Sequence, residues 1–275
     1  MHSLDIKLKS IQTKLQHDLS EIETWCTINN MAINPVKTTC MVMGTNFKIR
    51  NSQELQLYID KSAIRNVTSQ KLLGVYIDEC LTWKLHVDKT CLKLVSKISL
   101  LKRIQNFLTP EMKQLFYNAY IASTFDYGCL TWGNTNKTYV NRINKLQKRA
   151  ARIILHKPMR ANSMEMFKNL QWLSFQSRCK YFTGIMVFKS LHLLAPTYMI
   201  DSINACISEN KCYNLRSATR NEMKHKRSQT NYLKRTFMYS SIEIWNNIPI
   251  NIRALTNIKT FKVNYKTHLL NIDEL

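Results

Sequence analysis

Apolar residues recur at Leu4, Leu8, Ile11, Leu15, Leu19, Ile22 and Cys26, spacings of three and four that line up as one stripe on a helix. The chain is expected to open with an amphipathic helix whose stripe is buried. Asn29-Asn30 and Asn34-Pro35 break that pattern. Three β-leaning runs follow, Thr39 to Met43, Leu55 to Ile59 and Leu72 to Ile77, with Gly44 and polar residues between them, and they predict a small antiparallel sheet or a set of hairpins. From Trp83 the helical period returns through Val87, Cys91, Leu94, Ile98, Leu101 and Ile104. Pro110 then sits at an N1 position, ahead of Met112, Leu115, Phe116, Ala119 and Tyr120. A third helix is predicted from about Tyr139 to Leu155, and three helices with short connections form a compact bundle. Beyond Lys157-Pro158 the pattern gives helix around Met164 to Leu170 and Gln176 to Leu193, closed by Ala195-Pro196. Cys206 to Arg235 is polar and basic enough to read as an extended or loop segment before an apolar end that contains Trp245. The fold class is therefore α+β, predominantly helical, with no internal repeat.

Composition narrows this picture. With 45% hydrophobic and 10% aromatic residues the chain has material for a core, which excludes a disordered basic tail. Only 5 Gly and 5 Pro occur in 275 residues, too few for a turn-rich β-sandwich or a Gly-rich phosphate cradle. The cysteines (Cys26, Cys40, Cys80, Cys91, Cys129, Cys179, Cys206 and Cys212) lack zinc-ribbon spacing and read as reduced thiols, which suits an intracellular protein of cytoplasm or nucleus. The histidines His2, His17, His86, His156, His192, His225 and His268 do not cluster with them, so no metal site is expected. Met1 to Ser10 has no signal-peptide core, and no run approaches the roughly 20 apolar residues of a membrane span.

Charge changes the picture most. Lys and Arg number 40 against 18 Asp and Glu, a formal charge of +22. The cations are clustered, as phosphate recognition requires. Lys84, Lys89, Lys93, Lys97, Lys102 and Arg103 face one acidic residue, Asp88. Arg142, Lys145, Lys148, Arg149, Arg152, Lys157 and Arg160 face none. Lys211, Arg216, Arg220, Lys224, Lys226, Arg227, Lys234 and Arg235 face Glu222. In the middle cluster the apolar set Ile143, Leu146, Ala150, Ile153 and the basic set Arg142, Lys145, Arg149, Arg152 share one helical spacing, giving a cationic stripe of roughly 15 Å beside a packing face. Most charge runs are only solvated helix faces. In the middle cluster no acidic residue is available for i,i+4 pairing, which favours contact with nucleic-acid phosphates, and the candidate contacts are Lys89, Lys93, Lys97, Arg142, Lys145, Lys148, Arg149 and Arg152.

Particular segments go further. Asn34-Pro35-Val36-Lys37-Thr38-Thr39-Cys40-Met41-Val42-Met43-Gly44, then Leu72-Leu73-Gly74-Val75-Tyr76-Ile77-Asp78 with Leu81-Thr82-Trp83, resemble the segments downstream of the catalytic box in Jockey-like non-LTR retrotransposon reverse transcriptases. The likeness continues through Phe125-Asp126-Tyr127-Gly128, Trp132-Gly133, Leu146-Gln147-Lys148-Arg149-Ala150-Ala151-Arg152, Leu170-Gln171-Trp172-Leu173 and Tyr213-Asn214-Leu215-Arg216. It ends at Trp245-Asn246-Asn247-Ile248-Pro249 and Phe261-Lys262. The resemblance implies a remnant of the polymerase palm over 1–82, a thumb-like helical bundle over 83–157 that holds an RNA, RNA–DNA or DNA duplex, and a basic C-terminal region over 158–275. It implies a hairpin that grips the primer end at Leu73 and Gly74, and a match of Lys37 to the lysine aimed at departing pyrophosphate.

Polymerisation also needs carboxylates that hold two Mg²⁺ ions about 4 Å apart. The resembling family carries them upstream of the matched segments, so this chain is expected to be catalytically incomplete and to hold no cofactor of its own, Mg²⁺ belonging to an intact polymerase with a palm and fingers segment. Tyr76-Ile77-Asp78-Glu79 imitates the catalytic turn but occupies the family's later position. Asp126 reads as a polar residue at a helix end, and Tyr127 and Trp132 as core aromatics. Trp83, Trp172 and Trp245 have the choice of stacking on bases or packing, and their apolar neighbours favour packing. Two other outcomes stay open: a helical scaffold that binds a protein, and a decayed element without selected function.

Overall fold

The computed structural model describes residues 2–51, 54–207, 223–224 and 231–272. The chain divides into two compact units between His86 and Val87.

The first unit begins with helix α1 (His2–Ile28), followed by β1 (Thr39–Cys40) and the short helix α2 (Asn46–Arg50). Strands β2 (Tyr58–Ile59), β3 (Ser62–Ala63), β4 (Arg65–Asn66), β5 (Ser69–Leu72) and β6 (Val75–Asp78) complete it. Of the expected small antiparallel sheet or set of hairpins, the hairpins form, β2 with β3 and β5 with β6, while β1 with β4 is a separate parallel pair. The run Leu72 to Ile77 is not one strand. Leu73 and Gly74, at φ 45° and 86°, turn the chain so that Leu72 faces Val75. Asp60 and Lys61, at φ 50° and 63°, do the same between Ile59 and Ser62. Paired left-handed residues are the signature of a two-residue hairpin whose twist matches the strands.

The core of this unit is small: Leu55, Leu57, Ile59 and Ile64, with Leu19, Ile33, Cys40 and Val42 packed against it. Among the stripe residues of α1 from Ile11 onward, only Leu19 and Cys26 are partly buried. Ile11, Leu15 and Ile22 are exposed, and the helix docks on β2 by polar means. The Gln16 amide donates to Tyr58 O and accepts from Tyr58 N–H, both at 2.9 Å, while Asp60 N–H donates to Glu23 Oε1 at 2.7 Å. Asp78 serves the exit: its carboxylate accepts from the N–H groups of Thr82 and Trp83, at 2.9 and 2.8 Å. Trp83, expected in a core, is half-buried with φ 64°.

α3 (Lys84–Ile104) leads into the second unit, and its period is as expected: Val87, Cys91, Leu94, Ile98 and Leu101 are buried. α4 (Pro110–Phe116) starts with Thr109 as N-cap, its hydroxyl accepting from Met112 N–H, and Pro110 at N1. Its expected apolar face is turned outward, however. Met112, Leu115 and Tyr120 are exposed, and the chain buries Lys113, Tyr117 and Ile121 instead. A π-helical segment, Tyr117–Ala122, continues the helix, and the Tyr117 ring stacks on Trp172 with centroids 3.5 Å apart. Two single turns follow, α5 (Ser123–Asp126) and α6 (Cys129–Trp132), separated by Gly128 at φ 63°.

α7 (Lys137–Leu155) and α8 (Ser163–Leu170) precede α9 (Phe175–Leu191), the hub against which α5, α6, α7, α10 (Thr197–Ile207), α12 (Phe237–Asn246) and α14 (Ile258–Ile272) pack. α10 begins directly after Pro196; α11 (Asn231–Arg235) and α13 (Ile250–Arg253) complete the mostly helical C-terminal region that was expected. A helix contacted from many sides has no single apolar stripe, and α9 buries Ser177, Thr183 and Ser190 with Phe175, Ile185 and Phe188. Small residues let neighbours come close: a Cβ on Gly184 would lie 2.5 Å from Cε1 of Tyr265. The core joins Phe188, Trp245, Phe261 and Tyr265, and Trp132 stacks on Phe175 at 5.2 Å. Trp132, Trp172 and Trp245 are buried as expected, but Tyr127 is exposed. Arg178 of α9 donates through Nε to Asp126 Oδ1 at 2.8 Å and through Nη2 to Oδ2. Asp126 closes α5, a polar residue at a helix end as expected, and is there half of an ion pair. Most of the polar stretch expected between Cys206 and Arg235, with Tyr213-Asn214-Leu215-Arg216 and five of its cations, lies outside the described residues.

Candidate nucleic-acid interface

α7 is built from both ends. Asn136 caps its start, Oδ1 accepting from Thr138 N–H at 3.1 Å, and His156 closes it in a left-handed conformation at φ 51°. Val140, Ile143, Gln147, Ala150, Ala151 and Ile154 form the buried face. Inside it Gln147 Nε2 donates to Leu173 O at 2.8 Å. This face is rotated from the one expected: Ile143 and Ala150 are buried, but Leu146 and Ile153 are only partly so.

Leu146 and Ile153 line a groove of about 910 Å³ between α3 and α7, joined by Cys91 and Val95 from α3. Over this apolar floor stand Lys102 of α3, and Arg142, Lys145, Lys148, Arg149, Arg152 and Lys157 from α7 and the residues after it. Among the described residues no acidic side chain lines the groove. The cations at the α7 C-terminus also complement the helix dipole. Arg152 Nε is buried with no hydrogen-bond partner among the described residues, while its Nη1 lies 4.0 Å from Met159 Sδ. At the groove edge Arg142 Nη1 donates to Asp88 Oδ1 at 2.6 Å, a pairing across helices that spacing along α7 does not reveal. Burial pushes the Cys91 thiol above its ordinary range, and Asp88 adds to this while Arg142 opposes it.

The structure thus gathers Arg142, Lys145, Lys148, Arg149 and Arg152 in one groove and adds Lys102 and Lys157 to them. Lys89, Lys93 and Lys97 lie elsewhere. At 100° per residue they form a stripe on the far side of α3's buried face from Cys91, Val95 and Lys102. Lys89 and Lys93 are exposed. Lys97 turns to the π-helical segment, donating to Tyr120 O and Thr124 Oγ1 at 2.8 and 2.7 Å, with its Nζ 4.1 Å from the Tyr120 ring centroid. Burial, and next the charge of Lys93, lower its pKa.

In the first unit Lys37 is exposed in the turn after Asn34-Pro35, its own N–H bonded to Asn34. Leu73 and Gly74 form the exposed tip of the β5–β6 hairpin. His17, Asp18 and Glu21 have ligand atoms close enough for one ion, but all three are exposed on α1. Among the described residues no helix is long and apolar enough to cross a membrane.

No family model matches the chain, and no solved structure matches it. Curated relatives do. Over 161 residues, 57% of this chain and 17% of the relative, it is 27% identical to a probable RNA-directed DNA polymerase from transposon BS of Drosophila melanogaster. It is 24% identical over 154 residues, 52% of the chain and 16% of the relative, to the probable RNA-directed DNA polymerase from transposon X-element of the same species. Over 156 residues, 55% of the chain and 17% of the relative, it is 26% identical to the RNA-directed DNA polymerase from mobile element jockey of Drosophila funebris. The chain therefore carries a Jockey-like region related to the reverse transcriptases of non-LTR retrotransposons, and it spans about one sixth of the length of those relatives.

Proposed function

We propose that the α3–α7 groove holds the sugar-phosphate backbone of an RNA or a primer-template duplex, as the thumb-like part (83–157) of a retrotransposon RNA-directed DNA polymerase. The observation that carries this is the groove lining, in which cations from two helices converge and, among the described residues, Asp88 at the edge pairs with Arg142 alone. A cationic wall of roughly 15 Å along α7 can follow successive phosphates of one strand while the apolar floor excludes water from the contacts. In this reading 1–82 is a palm remnant, its Leu73-Gly74 tip approaches the primer end, and 158–275 supports the bundle.

By itself the chain binds and does not polymerise. The acidic residues nearest to family motifs are otherwise engaged: Asp78 caps the turn into α3, Asp88 pairs with Arg142, and Asp126 pairs with Arg178. Catalysis would need the Mg²⁺-holding carboxylates that the resembling family places upstream of the matched segments.

Binding of labelled RNA–DNA hybrid, RNA duplex and DNA duplex, measured by anisotropy at about 50 and 200 mM salt, tests this. Affinity should fall steeply with salt. An absent or salt-insensitive complex overturns the reading. A second reading, a protein-docking scaffold, draws support from the exposed apolar residues Ile11, Leu15, Ile22 and Trp25 on α1. A stoichiometric co-purifying protein, in preparations whose absorbance shows no nucleic acid, favours it over the first.

A further inference from the structure

Beside the groove lies a second cavity, of about 470 Å³, bounded by α7, α8 and α14 and by the segment between α8 and α9. Its volume falls within the range of about 300–1,000 Å³ that small-molecule sites occupy. Phe167 and Trp172 supply an aromatic wall, their rings 6.1 Å apart and inclined at 61°. Trp172 is held from behind by its stack on Tyr117, so the wall is fixed before any ligand arrives. Two amides bring opposite hydrogen-bonding character. Asn144 Oδ1 already accepts from Phe175 N–H at 3.1 Å, which leaves its NH₂ as a donor. Gln171, left-handed at φ 54°, donates through Nε2 to Lys168 O at 3.1 Å, which leaves its Oε1 as an acceptor in the lining. Among the described residues no acidic side chain lines the cavity. Lys148 lines both this cavity and the cationic groove, so the two are neighbours across one ridge of α7.

We infer that this cavity takes an unpaired nucleobase of a single-stranded extension whose adjoining duplex lies in the α3–α7 groove. The inference rests on the reading of the groove given above. An aromatic face, one donor and one acceptor are what a flat heterocycle with a polar edge requires, and stacking of this kind tolerates any base. Lys148 on the ridge then meets the phosphate that links the last paired nucleotide to the extruded one. A paired base does not fit, because both its face and its edge are occupied.

The test compares a blunt duplex with the same duplex carrying a single-stranded extension of about four nucleotides at either end polarity, with 2-aminopurine placed at each extension position in turn. Phe167→Leu, which keeps an apolar side chain and removes the ring, is measured beside the wild type. The extension should raise wild-type affinity about tenfold, and Phe167→Leu should erase that gain without changing blunt-duplex binding. The 2-aminopurine emission, which needs no variant, should change at one extension position. Equal affinity for blunt and extended duplexes, unchanged emission, or a gain that survives in Phe167→Leu overturns the pocket inference while leaving the groove reading intact, provided both probes still depend on Arg149 and Arg152. If neither probe binds, or both bind independently of salt and of those arginines, the groove reading falls and the pocket with it.

Discussion

Arg142 on α7 and Asp88 on α3 meet at 2.6 Å along the edge of the cationic groove, and the bond to Asp88 holds the Arg142 charge above its ordinary pKa. Both side chains remain partly exposed, at 42% and 36%, so the pair adds only about 0–1 kcal/mol to stability. Its larger consequence is electrostatic, since it neutralises one of the groove's cations before any ligand arrives. Asp88→Asn should therefore raise nucleic-acid affinity severalfold and leave the urea midpoint almost unchanged, as anisotropy and circular dichroism will show together.

The two flanks of α3 are separable by their salt dependence. Replacing Lys145, Arg149 and Arg152 by Gln should flatten the slope of log affinity against log salt by about 2–3, near 0.9 for each phosphate left without its cation. Lys89→Gln with Lys93→Gln, on the opposite flank, should flatten it by less than about 1. Equal effects would place the bound strand across both flanks and not in the groove.

The Asp126–Arg178 pair predicts a stability effect without a binding effect. Its side chains are 19% and 21% exposed; burial works against the Arg178 charge, and the hydrogen bond and charge of Asp126 outweigh it, holding the guanidinium above its ordinary pKa. Asp126→Ala strands that charge among the rings of Phe125 and Phe182 and should cost about 3–5 kcal/mol in urea denaturation.

Glycines rank by what surrounds them. A Cβ at Gly133 would meet Cys129 O at 2.4 Å and Cys179 Sγ at 2.5 Å, and one at Gly184 would meet the Tyr265 ring at 2.5 Å. Either change to Ala should cost about 1–3 kcal/mol, Gly133 more because a backbone carbonyl cannot move aside. Gly44→Ala, whose nearest neighbour is 3.6 Å away, should stay within about 0.5 kcal/mol of wild type in thermal melts.

Leu73 is 83% exposed and left-handed at φ 45°, an unfavourable place for leucine on both counts. Leu73→Asn should stabilise the hairpin by about 0.5–1 kcal/mol, because Asn tolerates that conformation. If the tip grips a primer end, the same variant loses affinity while gaining stability. A gain in both would remove Leu73 from the interface.

Repetition was readable. The period Val87, Cys91, Leu94, Ile98, Leu101 survives in α3 because one neighbour-facing stripe is all that helix buries, and Thr109 and Pro110 mark the start of α4 by local chemistry alone. The period of α4 misled because hydrophobicity does not fix which arc is covered: Lys113, Tyr117 and Ile121, spaced by four, face the core, while Met112, Leu115 and Tyr120 face solvent. Along Leu72 to Ile77 the apolar run by itself reads as one strand, with Gly74 the residue that signals a turn, while the resemblance had implied a hairpin at Leu73 and Gly74, where the turn is.

By itself the sequence determined the helical character, the cation clusters and the kinship with Jockey-like polymerases, because propensity, net charge and residue order are properties of a chain whether or not it is folded. Only the tertiary structure decided which cations converge. Lys102 and Arg152 are 50 positions apart and line one groove, Lys93 and Lys97 are near Lys102 in sequence and lie on the other flank, and Asp88 reaches Arg142 across two helices. The reason is geometric: a helix distributes successive side chains around a full circle, and the helix packed against it selects which arc remains open to a ligand.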